Sequence, residues 1–313
     1  MFRIALAQIA PVWLDKKGTI EKIVKYIDKA GKEDAGMVVF GEALLPGYPY
    51  WVSTTGGAAF NNQVQKEIHS HYISQSIQIE KGDLNSICKA AKTNKVAVYL
   101  GMMERAQNRG GHSLYCTLCY IDQDGNIKST HRKLQPTFEE RLVWSMGDGN
   151  GLDVHEIGDY KFGGLNCWEN WMPLARTAMY AQGENVHIAV WPGCLRNTID
   201  ITPFIAKESR SYSVSVSSLF RKKDIPLDIP HYDLIINSLP NEISNGGSCV
   251  ANPDGSWLIE PVVDKESLLI ADLDVSKVYE ERQNFDPVGH YSRPSVTQLR
   301  LNKKRQSIID IEE

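Results

Sequence analysis

Two hydrophobic periods alternate along the chain. Short continuous apolar runs, such as Phe2 to Ile9 and Met37 to Phe40, predict buried strands. Between them lies Lys17 to Lys32, where Ile20, Ile23, Val24 and Ile27 recur at helical spacing and Lys and Glu fill the other side. This strand–helix–strand order marks an α/β layer fold. Asn61 to Gln78 reads as a polar helix, and Asp83 as the N-cap of a helix from Leu84 to Thr93. Lys95 to Met103 and Leu114 to Asp122 are predicted strands. Asp124-Gly125 is a hairpin signal that returns the chain along Asn126 to Arg132.

Leu152 to Ile157 and Tyr160 to Leu165 form a second predicted hairpin. Met172 to Gln182 is a helix closed by Gly183, and Val186 to Trp191 is a strand stopped by Pro192-Gly193. Phe204 to Tyr212 reads as a helix and Ser213 to Ser217 as an alternating strand. Asp224 to Asn245 is proline-rich and weakly patterned, as a surface lid would be. A hairpin follows around Asp254-Gly255, then a last strand from Leu268 to Leu273 and a short helix. About a dozen strands exceed what one open sheet usually holds, so two packed sheets with helices on their outer faces are expected. With no linker-like tract and no short repeat, residues 1–313 are expected to form a single domain.

Composition narrows the partners. The 313 residues are 42% hydrophobic, enough for a sizeable core. Lys plus Arg number 34 against 38 Asp plus Glu, a net charge of −4, so a phosphate backbone is not an expected partner. No apolar run approaches the roughly 20 residues of a membrane span, and the start of the chain lacks the pattern of a secretory leader. Six dispersed cysteines (Cys88, Cys116, Cys119, Cys167, Cys194 and Cys249) read as reduced thiols rather than a disulfide framework. A cytoplasmic location is the expectation.

The candidate chemistry centres on Gly163-Gly164-Leu165-Asn166-Cys167-Trp168-Glu169-Asn170-Trp171-Met172-Pro173. Cys167 stands on a strand-to-helix turn, where free N–H groups and the helix dipole would favour a thiolate. Glu42 and Lys133 likewise stand just after apolar strands, and in open α/β folds reacting groups collect at the carboxyl ends of strands. A carboxylate could act as base to the thiol, and a lysine could stabilise a developing anion. From spacing alone, Glu42 could equally cap its turn, Lys133 sit on a solvated edge, and Cys167 be a packed apolar residue.

Three ordered blocks carry a resemblance that decides between these readings. They are Gly41-Glu42-Ala43-Leu44-Leu45-Pro46-Gly47-Tyr48-Pro49, then His131-Arg132-Lys133-Leu134-Gln135-Pro136-Thr137 with Glu140-Arg141, and the Cys167 block continued through Met172-Pro173-Leu174-Ala175-Arg176. Each resembles a catalytic block of the nitrilase superfamily, and together with Gly289-His290-Tyr291-Ser292-Arg293-Pro294 they resemble its nitrilase branch. The resemblance implies an α/β fold, a four-layer α-β-β-α sandwich of two mixed sheets flanked by helices. It implies Cys167 as nucleophile, Glu42 as general base, and Lys133 with the backbone N–H of Trp168 as stabilisers of the tetrahedral intermediate. Glu140 would hold Lys133, whereas Glu139 does not match and is expected to be merely exposed. It further implies no metal and no organic cofactor, a small-molecule nitrile or amide as substrate, and a homodimer or larger homo-oligomer.

The chain departs from the family pattern in places. Ser145 stands where glycine is usual, Trp191 ends a strand where a small polar residue is expected and could narrow the pocket, and the short tail after Pro294 puts long-filament assembly in doubt. Tyr48, Trp168 and Trp191 are the candidate substrate-binding residues. Tyr50 and Trp51 suit either a pocket wall or an interface. Cys116 and Cys119 lie three apart in a strand, on opposite faces, and read as core. Cys194, just after Trp191-Pro192-Gly193, could approach the pocket but reads first as buried packing; Cys249 reads as packing, His69 and His71 as surface, and His290 and Arg293 as ties for the tail. The expected function is a nitrilase that releases acid and ammonia through a cysteine thioimidate. The alternatives are an amidase of the same superfamily and a silent assembly or binding protein.

Overall fold

The computed structural model of the chain describes residues 1–240 and 242–309. The strands among them are β1 (Phe2–Gln8), β2 (Met37–Phe40), β3 (Ala97–Arg105), β4 (Leu114–Ile121), β5 (Ile127–Arg132), β6 (Val154–Ile157), β7 (Tyr160–Asn166), β8 (Val186–Trp191), β9 (Tyr212–Ser217), β10 (Leu219–Phe220), β11 (Ser244–Ala251), β12 (Trp257–Val263) and β13 (Ser267–Leu273). The helices are α1 (Lys16–Lys32), α2 (Trp51–Thr54), α3 (Gln63–Gln75), α4 (Asn85–Asn94), α5 (Pro173–Tyr180), α6 (Ile201–Ser209), α7 (Tyr232–Ser238) and α8 (Val275–Asn284). None of these helices is long and apolar enough to cross a membrane.

The strands form two mixed sheets. One runs β13-β1-β2-β3-β4-β5, and the other β10-β11-β9-β8-β7-β6 with β12 beside β11. Each has a parallel centre, β1-β2-β3 in the first and β7-β8-β9 in the second. The period-2 geometry of a strand sorts the side chains into layers. Ile4 and Leu6 of β1, Met37 and Val39 of β2 and Tyr99 of β3 face Phe162, Ile188, Val190, Val214 and Val216 of the second sheet. Their neighbours Ala5, Ala7, Val38, Phe40, Val98 and Leu100 face outward against Ile23, Ile27 and Ala30 of α1 and Ile87 and Ala91 of α4. On the far side Ala189 and Trp191 pack against Ile201 and Ile205 of α6. The result is the expected four layers, α-β-β-α. The Tyr99 hydroxyl donates to the Phe162 carbonyl across the buried interface at 3.0 Å.

Several expectations need correction. Asp83 does not cap a helix: its carboxylate accepts from Gln78 N–H and pairs with Lys16, and α4 starts two residues later. The helix placed at Phe204–Tyr212 runs instead from Ile201 to Ser209. Pro203 thereby falls in the first turn, where its missing N–H leaves no bond unmade, and Arg210 (φ 52°) ends the helix in the left-handed region. The stretch read as a lid is anchored. Ile225, Ile229, Ile235 and Leu239 are buried in one cluster with Trp51, Tyr72, Trp144 and Phe220; Asn241 lies outside the described residues. His290 and Arg293 are exposed and do not tie the tail down. That role falls to Leu301, packed beside Leu152 and Leu165, and to Arg305, which donates to Asp148 and to the Thr130 carbonyl.

Ile188 sits at the centre of the inter-sheet core, so its truncation opens a cavity that rigid sheets cannot close. Ile188→Ala is expected to destabilise the protein by about 2–5 kcal/mol and Ile188→Val by roughly 0.5–1.5, read as shifts in the urea unfolding midpoint.

Candidate active site

Glu42, Lys133 and Cys167 follow β2, β5 and β7, so the fold carries three distant loops to one end of the paired sheets. Close backbone approach makes this possible. A Cβ on Gly101 of β3 would stand 2.1 Å from the Gly41 carbonyl oxygen, so only glycine lets the Glu42 loop lie against that strand. The Glu42 amide donates to the Trp191 carbonyl at 3.1 Å, latching this loop to the second sheet. Three non-glycine residues in these loops adopt positive φ: Ala43 (48°), Phe138 (43°) and Cys167 (48°). Each such residue costs roughly 1–2 kcal/mol, and such outliers cluster where the backbone is held to a purpose.

The three side chains meet. Lys133 Nζ lies 2.8 Å from Glu42 Oε1 and 2.7 Å from Glu140 Oε2, with all three groups buried. Cys167 Sγ and a carboxylate oxygen of each glutamate lie within 4.8 Å of one another. Glu140 is fixed from several sides, since it also accepts from Thr137 N–H at 2.6 Å and from the Tyr48 hydroxyl at 2.8 Å. Lys133 is therefore not on a solvated edge. This donor set could ligate a metal on paper, yet the Lys133 ammonium already bridges the two carboxylates.

Burial and charge set the protonation states. Burial pushes the Glu42 carboxyl up to about 7, with the Glu140 charge adding to burial and Lys133 opposing it. Burial would pull the Lys133 ammonium down, but Glu42, Cys167 and Glu140 hold its pKa well above the ordinary value. The Cys167 thiol is pushed well above its ordinary value by burial and by Glu42, against the opposing pull of Lys133 and of the Trp168 N–H. The direction is opposite to the lowering expected from N–H groups and a helix dipole at this turn. Cys167 also does not open an α-helix: a single 3₁₀ turn, Cys167–Trp171, intervenes before Pro173 starts α5. The thiol lies beside a carboxylate placed to take its proton.

Cys167 and Glu140 line a cavity of about 340 Å³. Tyr48 and Trp168 are in its wall, and so are Tyr50, Thr54, Thr137 and Arg196. Trp191 is not. It is fully buried behind Cys167, its indole N–H donates to Ser215 Oγ at 3.3 Å, and it supports that residue rather than narrowing the pocket. Trp51 is core, whereas Tyr50 stacks on Phe220 and donates to the Pro192 carbonyl. Cys194 lines the cavity, the lesser of its two readings, and so does Glu139, expected to be merely exposed. So do Leu239, Pro240 and Ile243 from the stretch that looked like a lid. Cys116 is buried as expected, but its thiol lies 3.6 Å from Glu42 Oε1 and forms the back of the site. Ser145 is not among the positive-φ residues, so serine replaces the usual glycine there without strain.

Comparison with known proteins bears on the family and the fold. The family profile described as carbon-nitrogen hydrolase matches residues 3–283. Nitrilase 2 of Arabidopsis thaliana is 33% identical over 305 residues, covering 96% of this chain and 88% of that protein. An aliphatic nitrilase of Rhodococcus rhodochrous is 32% identical over 327 residues, covering 99% and 85%. Among solved structures, Saccharomyces cerevisiae Nit3, a member of branch 10 of the nitrilase superfamily, shares the fold with a TM-score of 0.70 at 18% identity over 93% of this chain and 96% of that one. The amidase from Nesterenkonia sp. AN1 does so with 0.67 at 17% identity over 91% and 98%.

The Gly101 contact gives a direct test of the geometry. Gly101→Ala is expected to push the Glu42 loop away from Lys133 and to lower turnover at this site by about 10²-fold, the scale of a 1 Å misplacement. Steady-state kinetics and a crystal structure of the variant check both parts.

Proposed function

The chain belongs to the carbon-nitrogen hydrolase family, in its nitrilase branch, and from that premise we propose that it hydrolyses an organic nitrile to the carboxylic acid and ammonia. The observation that carries the reading is a buried thiol beside two carboxylates joined by one ammonium, at the wall of a cavity sized for a small molecule. The nitrile preference is supported by relatives at 32–33% identity that are named nitrilases.

Glu42 Oε2 is buried without a hydrogen-bond partner among the described residues, while Oε1 is held by Lys133. In the proposed reaction that free oxygen takes the Cys167 proton as the sulfur attacks the nitrile carbon. The S–C bond forms, one π bond of the nitrile breaks, and the nitrogen gains a proton from Lys133, leaving a thioimidate. Glu42 then passes the proton it took to the neutral Lys133, 2.8 Å away, which resets both groups, and water adds with Glu42 as base. Lys133 and the Trp168 N–H stabilise the tetrahedral species, its nitrogen takes up the two protons of that water by way of Glu42, and ammonia departs to leave an acyl-enzyme. A second water, activated in the same way, releases the acid and restores the thiol. The net change is one nitrile and two waters to one acid and one ammonia. Splitting a hard hydrolysis into two displacements is the gain of covalent catalysis. Tyr48 and Trp168 are proposed to contact substrate.

The proposal extends to one catalytic domain in a reducing, cytoplasmic setting, supported by six free thiols. It also extends to a homo-oligomer, supported by the exposed apolar groups Trp171, Leu174 and Phe204 on and beside α5 and α6.

Ammonia release from matched nitrile and amide panels tests the reaction. Nitriles are expected to turn over, and turnover of amides alone would make the chain an amidase. Cys167→Ala is expected to abolish turnover and leave the fold intact, and Glu42→Gln to lower kcat by about 10³-fold. The acid side of the kcat/KM profile follows from Glu42. A base must be unprotonated and this carboxyl is raised to about 7, so activity should climb through pH 7 rather than through the usual carboxylate range. A profile already flat from pH 5 upward would remove Glu42 as the base.

A further inference from the structure

Glu169 has no part in the chemistry above, yet its carboxylate joins the two loops that must meet. It is buried and does not line the cavity. Its Oε1 accepts the Leu134 N–H at 2.6 Å, and Leu134 directly follows Lys133. Its Oε2 accepts the Asn166 N–H at 2.8 Å, and Asn166 directly precedes Cys167. His131 Nε2 lies 3.1 and 3.0 Å from the two oxygens and braces them from the strand that leads to Lys133. One rigid group thus spans the backbone beside the ammonium and the backbone beside the nucleophile. Charge-assisted hydrogen bonds to a carboxylate are short and strong. Burial would raise this carboxyl, but His131 and the two N–H groups hold it below the usual range, so it stays an acceptor at both ends.

We propose that Glu169, braced by His131, is a positioning residue that fixes the distance between Lys133 and the Cys167 sulfur. A bond to each flanking peptide leaves neither loop free to slide along the other. The inference rests on Lys133 and Cys167 acting together in the proposed reaction. An amide cannot do the same work. A glutamine side chain in place of Glu169 would offer one oxygen and one NH2, and the NH2 would face a backbone N–H that needs an acceptor. The Lys133 loop would then drift from the thiol, and the ammonium that opposes the rise in the thiol pKa would act from further away.

The test measures the pH dependence of Cys167 alkylation by iodoacetamide, read by mass spectrometry, beside kcat and KM per labelled site. Alkylation follows the thiolate, so it reports on Lys133 without any substrate. Glu169→Gln is expected to move the half-maximal pH to higher values and to lower kcat by about 10²-fold, with KM within about threefold. Glu169→Asp keeps the charge and should recover part of both. A residue that merely caps the 3₁₀ turn would lower the melting temperature and leave the alkylation profile and kcat per labelled site unchanged; that result overturns the proposal. Should Glu169→Gln not fold, His131→Gln carries the test. It is expected to give a smaller shift in the same direction, and a wild-type profile would overturn the proposal. If the profiles shift but wild type turns over neither nitriles nor amides, the assigned reaction fails while the positioning role stands.

Discussion

An ammonium sealed from water between two carboxylates is the constraint around which the rest is built. Lys133 lies within 2.8 Å of both Glu42 and Glu140. Taking three charged groups out of water is costly, and a buried pair contributes little stability once desolvation is counted. A core built only for stability would hold apolar side chains there. The arrangement is intelligible as machinery. Burial, with the Glu140 charge adding to it, raises the Glu42 carboxyl to about 7 against the pull of Lys133, so this carboxylate is placed to take a proton. In the proposed reaction the same cation faces the place where negative charge develops during attack.

The fold delivers this cluster by aligning strand ends. Two mixed sheets pack face to face, and β2, β5 and β7 stop at the same end of the molecule. Gly101 admits the Glu42 loop against β3, the Trp191 carbonyl latches it to the second sheet, and Glu169 ties the other two loops together. The strain at Ala43, Phe138 and Cys167 is held in place by these contacts. Burial of the thiol comes at the cost of its acidity. In the proposed reaction the nucleophile is consequently made by proton transfer at the moment of attack rather than stored as an anion.

Much of this was legible from residue pattern. Met37–Phe40 is a continuous apolar run between breakers and Val186–Trp191 an apolar run interrupted only by His187, and both strands have those limits in the structure. The two-sheet count followed from too many short strands for one layer. What escaped had physical causes. The proline-rich stretch after Asp224 looked loose because its isoleucines are spaced irregularly, yet each finds a pocket among aromatic rings from other segments. Trp191 looked like a pocket residue because its position in the chain is right, but strand alternation turns it to the back of Cys167. The roles of Glu169 and His131 depend on a contact between residues 38 positions apart, which no local spacing reveals. The high thiol pKa likewise comes from burial and Glu42, neither of which local sequence displays.

The most direct measurement is the mass of the Cys167 peptide after rapid mixing with a nitrile that the protein hydrolyses and quenching in acid within one turnover. The account predicts a covalent increment, the whole nitrile or the corresponding acyl group, confined to the tryptic fragment that carries Cys167 and missing in Cys167→Ala. Acid formed with no adduct, or an adduct on Cys116 or Cys194 in its place, would contradict it.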